Sequence, residues 1–446
     1  MNSSNIKIGV VGGGPAGMAT AIQLKQYNFD VVLFEASEYD RITVGEHLAA
    51  EAIHEFKKLQ IPEALLNNHS IPCKEVQNAW GHSKIHHNES IFNPFGAGYI
   101  LSRPNFDNAL LDYCSQIGID TKKGTRISKI KNTETDWELH ANSEILKVDF
   151  LVDASGRTSK FNFGNKKTKK TNNQLIGITK YLYPDTTTLI NSSHLLVEST
   201  PTGWWYTVQI ASSTIISTFM TDASFLTKSE ISHHAFWNRE LANSLHTKAR
   251  VKDTKIPADV FIKSAHSHMS NQTYGDKWLK VGDAAQSFDP LSSAGILKGL
   301  KMGQQAAIAI HDYVAGNTNS FKRYENEIRN QYTEYLELKA DYYAKETRWM
   351  HESFWYQRNL SLKSIQHFTI TPQNTLTITD SNLQEKLLFL TQLLPEIHFE
   401  ILIDCIRKYP LVKKAIELYL KKTNSTGMNS WLLHALESLK IIGVIS

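Results

Sequence analysis

The chain has 446 residues, which is enough for two or three structural parts rather than a single core. Lys and Arg number 48 against 44 Asp and Glu, and this even balance argues against a nucleic-acid-binding surface. Three cysteines without a C-x-x-C pair argue against a disulfide framework or a zinc site and favour a reducing compartment. We find no signal-peptide pattern and no apolar run long enough to span a bilayer, so we expect a cytoplasmic location and no membrane partner.

The predicted elements begin with a βαβ unit. Residues 6–11 form a short, continuously apolar strand, as expected at the buried centre of a parallel sheet. A helix follows the glycines, and a second strand is predicted at residues 31–34. Further elements are predicted as helices at 48–59 and 105–117, an apolar strand at 150–152 and a loop-rich, aromatic stretch at 71–100.

The pattern changes after residue 174 to alternating apolar and polar positions, which predicts an antiparallel sheet inserted between two halves of a nucleotide-binding domain. Its strands are predicted at 175–183, 194–197, 204–210 and 215–220. The later elements are predicted as a buried strand at 278–281, helices at 295–314 and 321–346, a Thr-rich stretch beyond 368, and helices within 383–420 and 431–439. The basic run at 166–170 is interpreted as a solvated loop.

A glycine-rich motif, G-x-G-x-x-G, directly follows the first predicted strand and opens the first helix. Gly12 permits the tight turn, Gly14 lets the backbone approach a pyrophosphate, and Gly17 lets helix and strand pack closely. Pro15 suits the first helical turn, where free N–H groups attract phosphate. Glu35 ends the second strand, where a carboxylate can accept hydrogen bonds from a ribose diol. The order of strand, glycines, helix, strand and acid predicts a dinucleotide-binding unit.

A second motif lies far along the chain. The strand at 278–281 ends in Gly-Asp and is followed by D-P-L-S-S-A-G-I at 289–296. This segment resembles the second FAD fingerprint of the class A flavoprotein hydroxylases and their halogenase relatives, in which the Asp holds the ribityl chain. Asp283 occupies that position here. The resemblance also implies that the helix near Gly295 directs its positive end toward the flavin N1–C2=O edge.

Three shorter segments match the same flavoproteins. R-P-N-F-D from Arg103 matches a pattern whose Arg contacts the phosphates or ribityl of the cofactor, and D-A-S-G-R from Asp153 matches a turn that follows a strand. G-E-H-L from Gly45 resembles the flavin-facing Gly-Glu segment of the halogenases. A helix cap and a simple left-handed turn remain the structural alternatives for the first two segments.

These motifs together predict FAD as the cofactor and no metal site. The residues predicted to bind FAD are Gly12, Gly14, Pro15, Ala16, Gly17, Glu35, Ala36, Gly45, Glu46, Arg103, Asp153, Gly156, Asp283, Pro290, Ala294, Gly295 and Ile296. Because one glycine-rich βαβ fingerprint is visible, we expect no second domain for docking a nicotinamide. Electrons would come either from a transient NAD(P)H encounter or from reduced flavin supplied by a partner, and the sequence leaves both open.

Tryptophan halogenases are the first relatives to compare. They carry a G-x-W-x-W-x-I-P motif, a Glu before the flavin-contacting S-T-G, and a Lys that captures hypochlorous acid. Here the first motif reads G-W-W-Y-T-V-Q from Gly203, and Ser292 stands in place of the Glu. Lys74 is the one lysine in about the right region, and its surroundings differ. The sequence therefore disfavours halogenation.

The chain more closely resembles the maturation flavoproteins that accompany lysine ε-oxidase, glycine oxidase or quinohemoprotein amine dehydrogenase. The resemblance rests on the segments from Gly45, Gly203 and Asp289, on A-W-G around Trp80, and on an aromatic run at 342–355. It implies an FAD-dependent monooxygenase that uses O2 and a flavin C4a-hydroperoxide. The implied partner is a quinoprotein precursor, on which a tryptophan side chain is oxygenated.

Two side chains are candidates for the polar catalytic roles that such a reaction needs. His47 lies next to the Gly-Glu segment, and Tyr206 lies in the aromatic motif. A purely structural histidine remains the alternative for His47. Three alternatives also stay open: a flavin-dependent halogenase or small-aromatic hydroxylase, an FAD-dependent dehydrogenase of the geranylgeranyl-reductase type, and a catalytically idle FAD-binding partner.

The implied fold class is α/β. We expect a Rossmann-like FAD-binding domain of the glutathione-reductase type, with an inserted antiparallel substrate sheet and a helical C-terminal region. The predicted boundaries are 1–70, 101–170 and 266–345 for the FAD-binding domain, 71–100 and 171–265 for the substrate domain, and 346–446 for the helical region.

Overall fold

The structure is a computed structural model that describes residues 6–40, 43–142, 144–157, 175–185, 193–227, 231–359 and 397–423, with isolated residues between and after these ranges. The chain forms two compact units, Met1–Tyr335 and Leu336–Ser446. The predicted FAD-binding and substrate domains lie within the first unit, apart from residues 336–345, and the boundaries between them stay a prediction. The basic run at 166–170, the Thr-rich stretch beyond 368, most of the segment 383–396 and five of the nine residues 431–439 lie outside the described residues.

The elements of the described ranges are numbered in chain order. Strands β1 to β12 are Lys7–Val11, Asp30–Phe34, His47–Leu48, Ser70–Cys73, Glu75–Ala79, His86–Glu89, Gly98–Leu101, Asp120–Lys122, Ile127–Asn132, Trp137–Ala141, Glu144–Val148 and Phe150–Asp153. Strands β13 to β22 are Leu175–Pro184, His194–Thr200, Gly203–Ala211, Thr214–Asp222, Thr254–Lys255, Phe261–Ser264, His268–Met269, Tyr274–Gly275, Trp278–Lys280 and Gln286–Ser287. Helices α1 to α12 are Pro15–Gln26, Ala52–Lys58, Glu63–His69, Arg103–Gln116, Ala223–Thr227, His233–Ala242, His246–Arg250, Gly295–Val314, Ser320–Ala344, Ser353–Asn359, Phe399–Lys408 and Val412–Thr423.

A six-stranded sheet with the order β20-β21-β12-β1-β2-β8 forms the nucleotide-binding half of the first unit. Strand β1 pairs in parallel with both β2 and β12, and β20 is an antiparallel edge strand. Helices cover one face of this sheet, and the small β9–β11 sheet packs on the other. Burial on both faces explains why β1 reads as a continuous apolar run. The carboxyl ends of β1, β12 and β21 meet at one edge, so the loops that follow them lie together.

Helices α1 and α8 are in close backbone contact on this sheet. A Cβ atom added at Gly303 of α8 would lie 2.6 Å from the carbonyl oxygen of Ala16 and 2.8 Å from the Cβ of Ala19. At Gly17 of α1, an added Cβ would lie 1.9 Å from the carbonyl oxygen of Gly12. Glycine is therefore required at both positions by the close approach of neighbouring backbone.

An eight-stranded sheet forms the second half of the first unit. Its order is β17-β13-β16-β15-β14-β5-β6, with β18 also paired to β13. The strands β13 to β16 cover the stretch that the alternating pattern predicted, and each pairs antiparallel with its neighbour in the sheet. Strand β14 pairs in parallel with β5, so residues from the segment 71–100 extend the same sheet.

Two predictions from local pattern were wrong. The stretch 71–100 is not loop-rich, because it contains β5, β6 and parts of β4 and β7. The helix predicted at 48–59 begins at Ala52, because His47 and Leu48 form strand β3 and pair with Ile100 and Tyr99 of β7. In both cases the strands form because they pair with strands that are distant in the chain. A short window of sequence does not show such pairing.

The second unit is helical in its described part. The apolar faces of α11 and α12 share one cluster that includes Leu402, Ile406, Val412 and Ile416. The backbone N–H of His398 donates a hydrogen bond to the hydroxyl of Tyr419 at 2.9 Å, which links the start of α11 to α12. No helix in the described ranges is both long and apolar enough to cross a membrane. The described residues also contain no group of three His, Cys, Asp or Glu side chains arranged for a metal ion.

The contact between α1 and α8 predicts a large cost for a methyl group at Gly303. We expect Gly303→Ala to reduce the free energy of unfolding by about 1–3 kcal/mol, because the added Cβ forces the two helices apart. Gly295→Ala, on the same helix, is the matched control, since an added Cβ there meets no atom within 4 Å. Urea denaturation of both variants tests this, and equal stabilities would contradict it.

Candidate functional site

The candidate site is a cleft in the first unit, between the carboxyl edge of the six-stranded sheet and one face of the eight-stranded sheet. Its cavity volume is about 300 Å³. The predicted residues that line the cleft are Gly14, Pro15, Ala16, Gly45, Glu46, His47, Arg103, Gly156, Tyr206, Asp283, Pro290, Gly295 and Ile296. The predicted residues outside its lining are Gly12, Gly17, Glu35, Ala36, Asp153 and Ala294.

The glycine-rich loop brings the start of α1 to the cleft. Gly12 has φ +120° and donates its N–H to the carbonyl of Phe34 at 2.8 Å, which fixes the turn. Gly14 is the N-cap of α1, and an added Cβ there would meet no protein atom within 4 Å. The first turn of α1 has no side-chain cap and no acidic residue. Its N–H groups can therefore bind an anion in the cleft.

Glu35 lies beside the loop rather than in the cleft wall. Its Oε2 accepts a hydrogen bond from the N–H of Gly13 at 2.8 Å, and its Oε1 accepts two from the N–H and Oγ of Ser37, both at 2.7 Å. The hydroxyl of Tyr39 donates to the carbonyl of Gly13 at 2.6 Å. Glu35 thus holds the loop in shape, and its role toward a ribose stays a prediction. Ala36 is exposed next to it.

Arg103 joins helix α4 to the Gly-Glu segment. It is buried and pairs through two hydrogen bonds with Asp107, at 3.2 Å from Nε and 2.8 Å from Nη2. Its Nη1 donates to the carbonyl oxygens of Val44 and Gly45 at 3.1 and 3.0 Å. Such a bidentate, carbonyl-bound guanidinium is held rigidly. Arg103 therefore fixes the backbone that carries the next two side chains into the cleft.

The carboxyl of Glu46 and the hydroxyl of Tyr206 are buried next to each other in the wall of the cleft. The two groups interact with each other, and among the described residues neither Oε1 of Glu46 nor the hydroxyl of Tyr206 has a well-aligned hydrogen-bond partner. Burial raises the pKa of the Glu46 carboxyl above its usual value, although Arg103 acts to lower it. Burial and the adjacent Glu46 carboxyl also raise the pKa of Tyr206 far above its usual value. Unpaired buried polar atoms are costly, so their presence in a cleft indicates a ligand-facing role.

His47 follows Glu46 and also lines the cleft. Its Nδ1 is buried without a hydrogen-bond partner in the described part of the chain. Burial lowers the pKa of His47 to about 4, although Glu51 acts to raise it. The imidazole is therefore neutral at neutral pH.

The turn after β12 lines the cleft with Gly156, whereas the side chain of Asp153 does not line it. The carboxylate of Asp153 accepts hydrogen bonds from the N–H and Oγ of Ser155 and from the Oγ of Ser159, at 3.0, 2.6 and 2.6 Å. Its side chain thus stabilises the turn, while Gly156, with φ +80°, lines the cleft. Asp153 caps the turn, and its predicted cofactor contact stays a prediction.

Asp283 lies between two cations at the end of β21. Its Oδ2 is 2.9 Å from Nε of Arg157, and its Oδ1 is 2.6 Å from Nζ of Lys298. Burial acts to raise the pKa of Asp283, but Lys298 and Arg157 hold it below its usual value. Asp283 is therefore a carboxylate at neutral pH. We missed both cations in the sequence, although a lysine among the apolar residues of α8 was a visible signal.

The segment before α8 forms a tight turn. Asp289 accepts a hydrogen bond from the N–H of Leu291 at 3.0 Å, and a short 3₁₀ turn at Pro290–Ser292 leads to Ser293 with φ +50°. Helix α8 then begins at Gly295, where an added Cβ would again meet open space. The first turn of α8 has no side-chain cap. Both helix starts are therefore open toward the cleft.

Alternation along β15 divides its aromatic residues between two faces. Trp204 and Tyr206 line the cleft, whereas Trp205 is buried on the opposite face against Trp237, at 5.0 Å between ring centroids. The division follows from the geometry of a strand, in which successive side chains point to opposite faces. The sequence motif alone did not show that the two tryptophans lie on different faces. Further cleft-lining residues that we did not predict include Gly177, Thr179, Thr218, Met220, Lys263 and Phe288.

The residues present fit FAD. Gly14 and Gly295 leave open space where a side chain would stand, and two uncapped helix starts offer N–H groups to the pyrophosphate and to the flavin. The ionised Asp283 offers hydrogen-bond acceptors to the hydroxyls of a ribityl chain.

Comparison with known proteins gives concordant matches. Residues 7–97 match the family model described as tryptophan halogenase. LodB of Marinomonas mediterranea, which carries the name FAD-dependent oxidoreductase, is 29% identical over 367 residues, covering 80% of this chain and 98% of LodB. The tryptophan 2-halogenase of Chondromyces crocatus is 22% identical over 388 residues, covering 82% of this chain and 73% of the halogenase.

Two solved structures share the fold. QhpG, a peptidyl tryptophan dihydroxylase described as essential for tryptophylquinone cofactor biogenesis, aligns with a TM-score of 0.67 at 19% identity, covering 83% of this chain and 82% of QhpG. The myxobacterial chondrochloren halogenase CndH aligns with a TM-score of 0.72 at 16% identity, covering 93% and 96% of the two chains. At these identities the likeness establishes the fold.

The two FAD motifs, the cleft that they form and the matching fold define an FAD-dependent oxidoreductase. Within that class, the chain is similar to LodB and to flavin-dependent halogenases, and its residues 7–97 match the tryptophan halogenase family model. The predicted fold class and the predicted FAD cofactor are thereby confirmed.

The open space at Gly14 yields a prediction about cofactor binding. Gly14 has φ −77°, which valine adopts readily, so Gly14→Val should fold normally while its side chain occupies the space for the pyrophosphate. We expect purified Gly14→Val to contain no FAD and to bind added FAD at least about tenfold more weakly. Gly14→Ala should show an intermediate loss. Absorbance and fluorescence titration measure both effects, and full flavin content in folded Gly14→Val would contradict the prediction.

The neutral, buried His47 yields a prediction about acid stability. Its pKa is about 4 in the folded chain and 6.5 normally, so below pH 6.5 the unfolded state binds the additional proton. Stability should therefore fall between pH 6.5 and pH 4, by up to about 3 kcal/mol from this group. His47→Gln should lose this component, and His86→Gln, at an exposed site, should keep it. Identical pH profiles of urea unfolding for the two variants would refute this assignment.

Proposed function

We propose that the chain is an FAD-dependent monooxygenase that oxygenates a tryptophan side chain of a precursor protein during quinone-cofactor biogenesis. The observation that carries this proposal is the unpartnered Glu46–Tyr206 pair facing the cleft beside the FAD residues. The resemblance to QhpG, which is named for this type of reaction, and to LodB supports it. FAD, once reduced, supplies the activation of O2.

Different residues of the chain would bind the cofactor and cover the substrate. Gly14, Gly295 and Asp283 would hold the cofactor, as the fit of these residues to FAD suggests. Trp204 and Met220, from adjacent strands of the eight-stranded sheet, would cover the substrate ring and exclude water. An electron-rich indole suits such an apolar, aromatic wall.

Proton removal is the chemical task left to the protein. When a C–O bond forms on an aromatic ring, the ring carbon must lose its proton to regain aromaticity. Oε1 of Glu46 is free to take that proton, either directly or through the hydroxyl of Tyr206. The raised pKa of Glu46 strengthens it as a base once it is ionised. The neutral His47 could donate or accept a hydrogen bond at Nδ1.

Two features of the cleft argue against a halogenase. Ser292 occupies the place of the halogenase Glu, and its hydroxyl donates to the carbonyl of Asp289 at 3.4 Å. Lys74 does not line the cleft, and Lys263, which does, is exposed. A lysine that captures hypochlorous acid needs a sheltered position, so the halogenase alternative is the weaker one.

The test combines the FAD-loaded enzyme, O2, chloride and chemically reduced flavin with one of two acceptors: a quinoprotein precursor from the same genome, or free tryptophan. We expect oxygen atoms to be added to tryptophan residues of the precursor, detected by peptide mass spectrometry, and no change in free tryptophan. Tyr206→Phe should bind FAD normally and lower the oxygenation rate by about 10²–10⁴, and Glu46→Gln, measured with its FAD site saturated, should lower the rate similarly.

The other possible products identify the competing functions. Chlorinated tryptophan would indicate a halogenase, and efficient hydroxylation of free tryptophan would indicate a small-aromatic hydroxylase. Transfer of electrons from the reduced flavin to an organic acceptor in the absence of O2, without any oxygenated product, would favour a dehydrogenase of the geranylgeranyl-reductase type. Each of these outcomes would overturn the proposal.

A further inference from the structure

Lys298 is an unusual residue for its position in the chain. It lies near the start of α8, three residues after Gly295, and its side chain is only 5% exposed. Fully buried lysines are rare because the ammonium group loses its hydration. Burial does lower the pKa of Lys298, although Asp283 acts to raise it. A structural role alone would be served as well by an apolar residue, as at Leu300 on the same helix.

The contacts of Lys298 are directed at one carboxylate. Its Nζ is 2.6 Å from Oδ1 of Asp283, donates to the carbonyl oxygen of Gln286, and stands 4.5 Å from the ring centroid of Phe288. Among the described residues, Asp283 is the one acidic side chain in an ion pair with it. These three contacts fix the ammonium behind the wall of the cleft, while Asp283 itself lines the cleft.

Arg157 completes the arrangement from the other side. Its Nε is 2.9 Å from Oδ2 of Asp283, and its terminal nitrogens donate to the carbonyl oxygens of His266 and Phe288 at 3.0 and 2.6 Å. Each carboxylate oxygen is therefore bound to a different cation. Because an oxygen of a carboxylate has about two acceptor sites, each keeps capacity for a further hydrogen bond, and 28% of the Asp283 side chain is exposed.

The group also has a net charge. Two cations and one carboxylate leave one excess positive charge at the end of β21, beside the first turn of α8. The other Asp, Glu, Lys and Arg side chains that line the cleft are Glu46, Arg103, Lys263 and Asp289, two of each sign. Their charges balance, so they do not cancel the excess. A reduced flavin is anionic and an oxidised flavin is neutral. The excess positive charge therefore stabilises the reduced flavin more than the oxidised flavin.

We propose that Lys298 is a positioning residue for FAD. It holds Asp283 ionised and in a fixed orientation, so that the carboxylate accepts hydrogen bonds from the cofactor's hydroxyl groups. It also contributes the excess positive charge that favours the reduced cofactor. This inference requires FAD binding, but it does not depend on which substrate is oxygenated.

The experiment measures FAD affinity by fluorescence titration and the flavin midpoint potential by dye equilibration, in the full-length chain without substrate. Lys298→Met retains the length of the side chain and removes the charge. We expect FAD to bind about tenfold more weakly. We also expect the preference for reduced over oxidised flavin to fall about tenfold, which lowers the midpoint potential by about 30 mV. Lys301→Met, three residues further along α8 at an exposed position, is the matched control and should change neither quantity.

A double-mutant cycle with Asp283→Asn separates positioning from general electrostatics. If Lys298 acts through Asp283, Lys298→Met should weaken FAD binding much less in the Asp283→Asn background than in the wild type. If Lys298→Met fails to fold, the Asp283→Asn/Lys298→Met variant removes both buried charges together and should fold, with affinity close to that of Asp283→Asn alone.

Three results would overturn the proposal. The first is a folded Lys298→Met with affinity and potential within about twofold of the wild type. The second is an equal effect of Lys301→Met, and the third is full additivity in the cycle. Failure of the chain to oxygenate a precursor would leave all of these measurements unaffected, so the two proposals are tested separately.

Discussion

The close contact between α1 and α8 is the constraint on which the site depends. Gly303 allows the two backbones to approach so nearly that an added Cβ would lie 2.6 Å from the carbonyl oxygen of Ala16, and Gly17 allows α1 to pack equally closely on the Gly12 loop. The consequence is that two helices far apart in the sequence both start at the same edge of the six-stranded sheet. Their uncapped N-termini then face one cleft, and two partial binding motifs become one site for a dinucleotide.

The parts of the site that depend on local geometry could be predicted from sequence. The turn at Gly12, the open approach at Gly14 and the start of α8 at Gly295 all follow from residue types within a few positions. The parts that depend on distant partners could not. Strand β3 exists because Leu48 pairs with Tyr99, and Lys298 is a site residue because Asp283 lies beside it. The periodicity of a sequence shows which face of a helix or strand is apolar. It does not show which other element packs against that face.

Residues that break the ordinary rules of burial are concentrated in the cleft. Glu46, His47 and Tyr206 are polar, largely or fully buried, and without hydrogen-bond partners in the described part of the chain for at least one atom each. Arrangements of this kind reduce stability, and a fold retains them where a bound molecule supplies the missing contacts. Arg103 reduces the cost by fixing the backbone at Gly45, so the segment is rigid although its side chains are unsatisfied.

The two sheets that form the cleft contribute different kinds of side chain to it. On the edge of the six-stranded sheet, the cations Arg157 and Lys298 are held by Asp283 and by carbonyl oxygens. The face of the eight-stranded sheet presents Trp204 and Met220, with the exposed Lys263 on its strand β18, and alternation along its strands turns Trp205 and Phe219 away into a separate core. A charged cofactor and an apolar ring therefore meet different walls. The excess positive charge lies with Asp283 on the cofactor side, so an aromatic substrate that packs on Trp204 and Met220 would lie against apolar side chains rather than against a buried ion.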